Sequence, residues 1–330
     1  VDSLNLSLLS AKLLENIADY QRIFSLNMAN GFGAKSDPLF TVLNIVDKVP
    51  LIRELSTPVV QPGRTGSTNF TNNAVAYKER WGQLRPFKVD LKLDEKTLYA
   101  WSKTYLAKRK PTDPSDIYSM PAMDMYMGAI MKQIGKDFNS ILYSGVYNPA
   151  GTGFNDVADG LQIHLQQGYA TSGTGFVGDI PAGNMTTSAT TITQANILTE
   201  INTLAMAILN GLDVPLDEDG CLCIDPLLYA LMVNAVAAQL SNGSQVVYRD
   251  GAGFRLSLLP NTMIKPQSWL KGTGKMIWTV NGNFFWLSPE TSADVASIDV
   301  EKQDRAIKIY IDGEVGFNYG DGRMMFMNSK

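Results

Sequence analysis

The chain has 330 residues, 45% of them hydrophobic and 18% charged, against roughly 25% charged in a typical soluble domain. That length builds one large domain or two ordinary ones, and the sparse charge suits either extensive protein contact or an enzyme with a neutral surface. A net charge of -4 argues against a sequence-reading nucleic-acid binder, which needs an excess of cations to meet phosphates.

No apolar run reaches the roughly 18 to 20 residues that cross a bilayer. The stretch Leu222–Leu240 comes closest, but Asp225, Asn234 and Gln239 interrupt it. The first ten residues lack the basic-then-apolar pattern of a secretory signal. The start at Val1, without a methionine, is expected to mark a processing cut or the first ordered residue.

Apolar residues at Leu6, Leu9, Leu13, Ile17, Tyr20 and Phe24 recur every three or four positions and predict an amphipathic helix over 4–28. Gly31, Gly33 and Asp37-Pro38 end it, and turns with short strands follow to about Leu55. Residues 56–73 are polar and turn-rich. Two strands are expected next, near 74–80 and over 87–94. In the second, Phe87, Val89, Leu91 and Leu93 alternate with Lys88, Asp90, Lys92 and Asp94. One face is therefore apolar and the other charged, as in a sheet resting on a partner by one side. A short helix is expected over 95–107, followed by the basic run Lys108-Arg109-Lys110.

The longest helix is predicted over 116–144, with Ser115 as N-cap and Asp116 in its first turn. Its apolar positions include Met127, Ile130, Ile134, Phe138 and Ile141, and Pro121 either kinks it or marks its true start. At about 1.5 Å per residue it would span roughly 43 Å, far above the average of about 11 residues, so it needs a broad packing surface. Gly145 ends it. Residues 148–190 read as loop with one short element at 160–167. A helix over 194–210 carries the stripe Ile197, Ile201, Leu204 and Ile208, with Thr193 as cap and Gly211 as stop. Cys221–Ile224 reads as a buried strand, and Pro226 opens a helix to about Leu240. Beyond it come short strands at 246–248, 254–258, 276–280, 284–287, 306–312 and 324–327. The sum is an α+β chain without tandem repeats.

Each catalytic or cofactor pattern fails at a named residue. His164 is the one histidine in the chain; it has no acidic neighbour and reads as a half-exposed structural residue. Gly173, Gly175 and Gly178 match the spacing of a dinucleotide loop, but no helix can follow through Pro181 and Gly183. Gly272-Thr273-Gly274-Lys275 resembles the tail of a phosphate loop, yet Trp269 and Met276 stand where Gly and Ser or Thr are required, so a hairpin turn is expected. Asp217, Glu218 and Asp219 form an acidic turn, because a calcium loop there would begin and close on Pro215 and Pro226. Cys221 and Cys223 share a strand face as reduced core residues, and two thiols make no zinc site. Lys108–Lys110 reads as a solvated helix end, with an acidic neighbour or nucleic acid as the other readings. The fourteen methionines are read as core filler first and subunit contacts second. No cofactor or metal is expected.

The order of these features resembles the Hong Kong 97 type fold of tailed-bacteriophage major capsid proteins. The stretch 137–145, Asp-Phe-Asn-Ser-Ile-Leu-Tyr-Ser-Gly, then a Gly-rich turn and Asp159-Gly160-Leu161, is similar to the exit of that family's spine helix. Cys223-Ile224-Asp225-Pro226 stands where the family has a strand ending in Asn or Asp before Pro, and Arg255–Asn261 and the closing strands also fit its order. The resemblance implies an N-terminal arm over 1–54, an extended two-stranded loop over 55–94, and a peripheral domain over 95–158. That domain has a spine helix at 115–144 and is completed by strands from about 300–330. An axial domain covers 159–299, within which the polar 168–192 segment reads as an insertion.

It further implies a structural protein and not an enzyme. The chain would self-assemble as hexamers and pentamers into the icosahedral head, in the virion after assembly in the host cytoplasm. Portal, scaffolding and head-decoration proteins are implied as partners, with non-specific proximity to packaged double-stranded DNA and no membrane. Phe87, Val89, Leu91 and Leu93 are the expected subunit-interface residues. An encapsulin-like bacterial compartment shares this fold and is the alternative; a tail tube or sheath protein fits less well, since the long helix argues against it.

Overall fold

The computed structural model describes residues 6–56, 75–94, 96, 100, 120–170, 178–212, 219–239, 246–251, 253–290, 297–303 and 306–329. The chain divides into two compact units. One comprises Val1–Asp47, Leu84–Ile163 and Phe284–Asn318; the other comprises Lys48–Gln83, His164–Asn283 and Tyr319–Lys330.

The first unit opens with two helices, α1 (Leu6–Glu15) and α2 (Ile17–Ala29), where the apolar period predicted one. The break falls at Asn16, whose φ of -105° and ψ of 7° leave the helical range. Tyr20, Phe24 and Met28 form the buried stripe of α2. A tight turn at Gly31–Ser36 follows, with Gly31 at φ +57°. A Cβ there would lie 3.0 Å from the Trp286 indole, so both conformation and space require glycine.

Five strands make this unit's sheet: β1 (Phe40–Ile45), β4 (Arg85–Asp94), β11 (Phe284–Pro289), β12 (Ser297–Gln303) and β13 (Ala306–Tyr319). β1 pairs parallel with β11, and β13 is shared by β11, β12 and β4. The alternating strand predicted at 87–94 is therefore no part of a two-stranded loop. It lies antiparallel to β13, with Phe87 opposite Gly313, Val89 opposite Ile311, Leu91 opposite Ile309 and Leu93 opposite Ile307. Ile307, Ile309 and Ile311 are fully buried, and α1 and α2 lie against β12. Part of the partner surface that the one-faced strand demanded is thus supplied within the chain, and Val89, Leu91 and Leu93 stay half-buried.

The long helix, α3, is described over Met120–Ser144, and Pro121 lies within it. Ser115 and most of the helix expected at 95–107 lie outside the described residues; Lys96 and Ala100, which are described, are helical. Met127, Ile134, Phe138 and Ile141 are buried at its helical spacing. Phe138 is central to an aromatic cluster: its ring lies 4.9 Å from Phe87, 5.3 Å from Phe32 and 6.0 Å from Trp286. Such edge-on pairs add to the area they bury.

The exit of α3 explains the run of small residues there. The Gly145 N–H bonds the Ile141 carbonyl, and the Gly160 N–H bonds the Gly145 carbonyl, both at 2.9 Å. A Cβ on Gly160 would stand 2.5 Å from the Tyr143 carbonyl oxygen and 2.6 Å from that of Ile141. Asp159 accepts the Tyr147 N–H at 2.9 Å. The Asp-Gly-Leu string therefore passes back across the helix end, and Leu161, fully buried, starts α4 (Leu161–Tyr169).

The second unit is built on seven strands in the order β5 (Met185–Thr186), β14 (Phe326–Asn328), β10 (Met276–Val280), β6 (Gly220–Ile224), β9 (Met263–Pro266), β8 (Gly253–Leu256) and β7 (Val247–Asp250). Helices α5 (Ile197–Gly211) and α6 (Pro226–Gln239) pack on each other. The predicted stripe of α5 is at most 1% exposed and joins Leu222, Ile224, Trp278 and Phe326 in one core. Asn196, not Thr193, occupies the cap position, and its side-chain oxygen accepts the Thr193 N–H at 2.7 Å. Every residue of β6 is buried, including both cysteines.

Asp225, only 1% exposed, explains the Asp-Pro step. One carboxylate oxygen accepts the Leu227 N–H and so caps α6; the other accepts the Gly274 N–H, both at 2.9 Å. The glycine string at 272–275 is consequently a turn leading into β10 rather than a hairpin, since β9 and β10 lie on opposite sides of β6.

Gly160→Ala is expected to lose about 1–3 kcal/mol, because backbone carbonyls cannot yield to the new methyl group. The check is a lower urea midpoint at unchanged slope.

Candidate functional site

Among the described residues, those that suggested chemistry in the sequence are not brought together. His164 is half-buried on α4, while Cys221 and Cys223 lie inside β6. Gly178 (φ +71°) donates its N–H to the Ala170 carbonyl, and the Gly274 amide is taken by Asp225. Gly173, Gly175, Asp217, Glu218 and Lys108–Lys110 lie outside the described residues. Among the interface candidates, Phe87 is buried in the aromatic cluster, and Val89, Leu91 and Leu93 are half-buried on β4.

The conspicuous feature is a ribbon of two nine-residue strands in the second unit. β2 (Lys48–Ser56) pairs antiparallel with β3 (Val75–Gln83), from Lys48 opposite Gln83 to Ser56 opposite Val75. Successive side chains alternate between faces. Pro50, Ile52, Val75, Tyr77, Glu79 and Trp81 share one face, and all are exposed. Ile52 is 63% exposed, Tyr77 70% and Trp81 53%, which is costly for side chains of this size.

The opposite face carries Val49, Leu51, Arg53, Arg80 and Gly82, and here the ribbon is fixed. Arg53 from β2 and Arg80 from β3 converge on Asp179, whose side chain is 1% exposed. Arg53 donates to the Asp179 carboxylate and, at 2.7 Å, to its backbone carbonyl. Arg80 reaches the other carboxylate oxygen at 3.5 Å. Its guanidinium also donates to the carbonyls of Tyr319 and, at 2.7 Å, Gly320, and lies 3.6 Å above the centre of the Tyr319 ring. Asp321 adds a second carboxylate, 3.8 Å from Arg53 and 2.7 Å from Arg323.

Burial dominates the electrostatics. It holds the Arg80 guanidinium below its usual pKa, against the opposing pull of Tyr319 and Asp179, yet arginine stays charged at any ordinary pH. Burial likewise pushes the Tyr319 phenol well up, so it stays neutral, with Arg80 opposing. At Asp321 burial acts to raise the pKa, but the hydrogen bonds and charge of Arg323, with the charge of Arg53, outweigh it and leave the carboxyl below its ordinary value. A buried charge network of this kind gives little net stability, but removing one partner is expensive.

Sequence reasoning found neither the clamp nor the ribbon's limits. Asp179 is 126 residues from Arg53 and 99 from Arg80, so no local spacing announces them.

This architecture is the α+β shell fold of tailed-phage major capsid proteins, the Hong Kong 97 type. The chain is similar to one in the capsid of Myoviridae phage XM1, with a TM-score of 0.54 and 10% identity over 91% of each chain. A chain from the procapsid of satellite phage P4, solved with its size determination protein, also has a TM-score of 0.54, at 14% identity over 91% of this chain and 96% of that one. A chain of the cyanophage P-SCSP1u capsid follows at 0.50, with 12% identity over 89% and 86%. No family model and no curated protein sequence matches. At such identities the likeness is one of fold.

Asp179→Ala strands two buried guanidinium groups and is expected to cost about 3–5 kcal/mol. Amide exchange should show the ribbon amides at 48–56 and 75–83 losing protection first. Because the folded pKa of Asp321 is depressed, its stabilisation is complete above its unfolded value of about 3.9 and is lost as pH falls through the folded value. Unfolding midpoints measured below pH 4 should therefore fall less steeply for Asp321→Asn than for the unchanged protein.

Proposed function

We propose that this chain is a major capsid protein, which assembles as hexamers and pentamers into the icosahedral head around a double-stranded DNA genome. Beyond the fold, one observation carries this reading. The ribbon is locked on one face by a buried charge clamp and presents Ile52, Tyr77 and Trp81 to solvent on the other. An isolated two-stranded ribbon is marginal in water, and exposed aromatic residues of this size mark protein contacts. A neighbouring protomer that receives the ribbon satisfies both conditions. Interfaces of this obligate kind commonly bury about 2,000 Å² or more.

In this reading the ribbon of β2 and β3 belongs to the extended loop, 1–47 forms the arm, and α3 is the spine of a peripheral domain completed by β4 and β12–β13. The axial domain is the seven-stranded sheet with α5 and α6. Val89, Leu91 and Leu93 remain a contact row for a neighbouring copy, while Phe87 serves the core. The protein acts by geometry and not by catalysis. It resides in the virion after assembly in the host cytoplasm, and portal, scaffolding and head-decoration proteins are its further partners.

Electron microscopy of the expressed chain should show closed shells or their hexamers and pentamers; a folded monomer at micromolar concentration would sink the proposal. Trp81→Glu with Tyr77→Glu should leave the circular dichroism spectrum unchanged, since both side chains are solvated, and should abolish shells. Shells of normal size from that variant would remove the ribbon from the assembly contact. Shells that enclose a protein cargo instead of DNA would point to a compartment.

A further inference from the structure

The first unit holds an open groove of about 1370 Å³ beside α3. Val46, 77% exposed, and Phe154, 53% exposed, give it an apolar lining. Among the described residues that line it stand five carboxylates, Asp137, Asp156, Glu290, Asp312 and Glu314, against one cation, Lys88. The Lys88 ammonium is engaged 2.7 Å from Asp90, which is not among the lining residues. The groove thus joins exposed apolar surface to a strong excess of negative charge, and a matching occupant is cationic with apolar side chains beside the charge.

The outer face of the ribbon does not match, because Glu79 offsets Lys48 and leaves it without a cationic excess. The full sequence contains one run of three consecutive cations, Lys108-Arg109-Lys110, with Tyr105 and Leu106 just before it. We propose that the groove beside α3 receives the Lys103–Lys110 segment of a second copy of this chain, the cations facing the five carboxylates and Tyr105 and Leu106 meeting Val46 and Phe154. This rests on the shell reading, which supplies the second copy. It gives the basic run a protein partner instead of nucleic acid, in keeping with the net charge of -4. A contact made of solvated charges weakens as salt shortens the screening length.

The test uses two full-length variants with charges reversed at one side each. One carries Lys108→Glu, Arg109→Glu and Lys110→Glu; the other carries Glu290→Lys and Asp312→Lys, both exposed positions. Each alone should fold, by circular dichroism, and fail to close shells. A one-to-one mixture should restore assembly, because each variant then offers the charge that the other lacks. Normal assembly of either variant alone would overturn the proposal, and so would a mixture that stays unassembled, which would place the contact within one chain. Shells that form from the first variant but no longer retain duplex DNA would assign the run to phosphates.

A labelled peptide of residues 103–112 gives a readout that needs no shell. It should bind the first variant, whose own run cannot compete, and bind a chain carrying all five substitutions at least tenfold more weakly. Equal binding to both, or none to either, overturns the groove assignment. If the unchanged chain proves monomeric, the shell reading falls by itself and the peptide still decides the groove.

Discussion

The carboxylate of Asp179, almost fully withdrawn from water, holds an arginine from each strand of the ribbon. Two strands alone would have little reason to keep a fixed direction. Here their inner face is tied through Arg53 and Arg80 to Asp179 and to the carbonyls of Tyr319 and Gly320. Because the face with both arginines is turned inward, the face with the large exposed apolar side chains is left outward. The exposed row at Ile52, Tyr77 and Trp81 follows from that choice through the two-residue period of a strand.

A buried ion network is a poor source of stability, since desolvation consumes most of the attraction. Its use here is better understood as orientation. Apolar packing would hold a ribbon as firmly but would tolerate sliding and tilt, whereas a guanidinium fork on a carboxylate fixes distance and direction together. The geometry of a closed shell depends on repeated angles between copies, so a rigid anchor behind an assembly element suits the proposed role. The aromatic cluster around Phe138 serves the first unit in a different way. It fixes α3 against Phe87 and Trp286 through edge-on ring contacts.

Much of the local structure was legible in the chain. The stripe of α5, the buried strand at Cys221–Ile224 and the start of α6 at Pro226 follow from periodicity and proline placement, which are encoded within a few residues. Gly160 and Asp225 stood out as parts of strings whose function is local: one passes beneath a helix end, and the other caps the next helix. Several expectations changed for equally physical reasons. The first helix breaks at Asn16, where an apolar period continues through a residue with non-helical backbone. Thr193 yields the cap position to Asn196. The alternation at Phe87–Leu93 was read correctly as a strand with one apolar face, but alternation identifies a face and not a partner. Its partner is Ile307–Ile311, more than two hundred positions away in sequence.

The sequence by itself therefore determined the α+β class, most helices, many of the strands and the failure of every catalytic pattern, because each depends on neighbours within about one turn or one strand. Only the tertiary structure decided that the ribbon is β2 with β3, that β4 belongs to a five-stranded sheet, and that Arg53, Arg80 and Asp179 meet. Those pairings join segments about a hundred or more residues apart or depend on which strand edge is free. A charge on a strand carries no mark of the distant carboxylate that will neutralise it; only burial in the folded chain brings the two together.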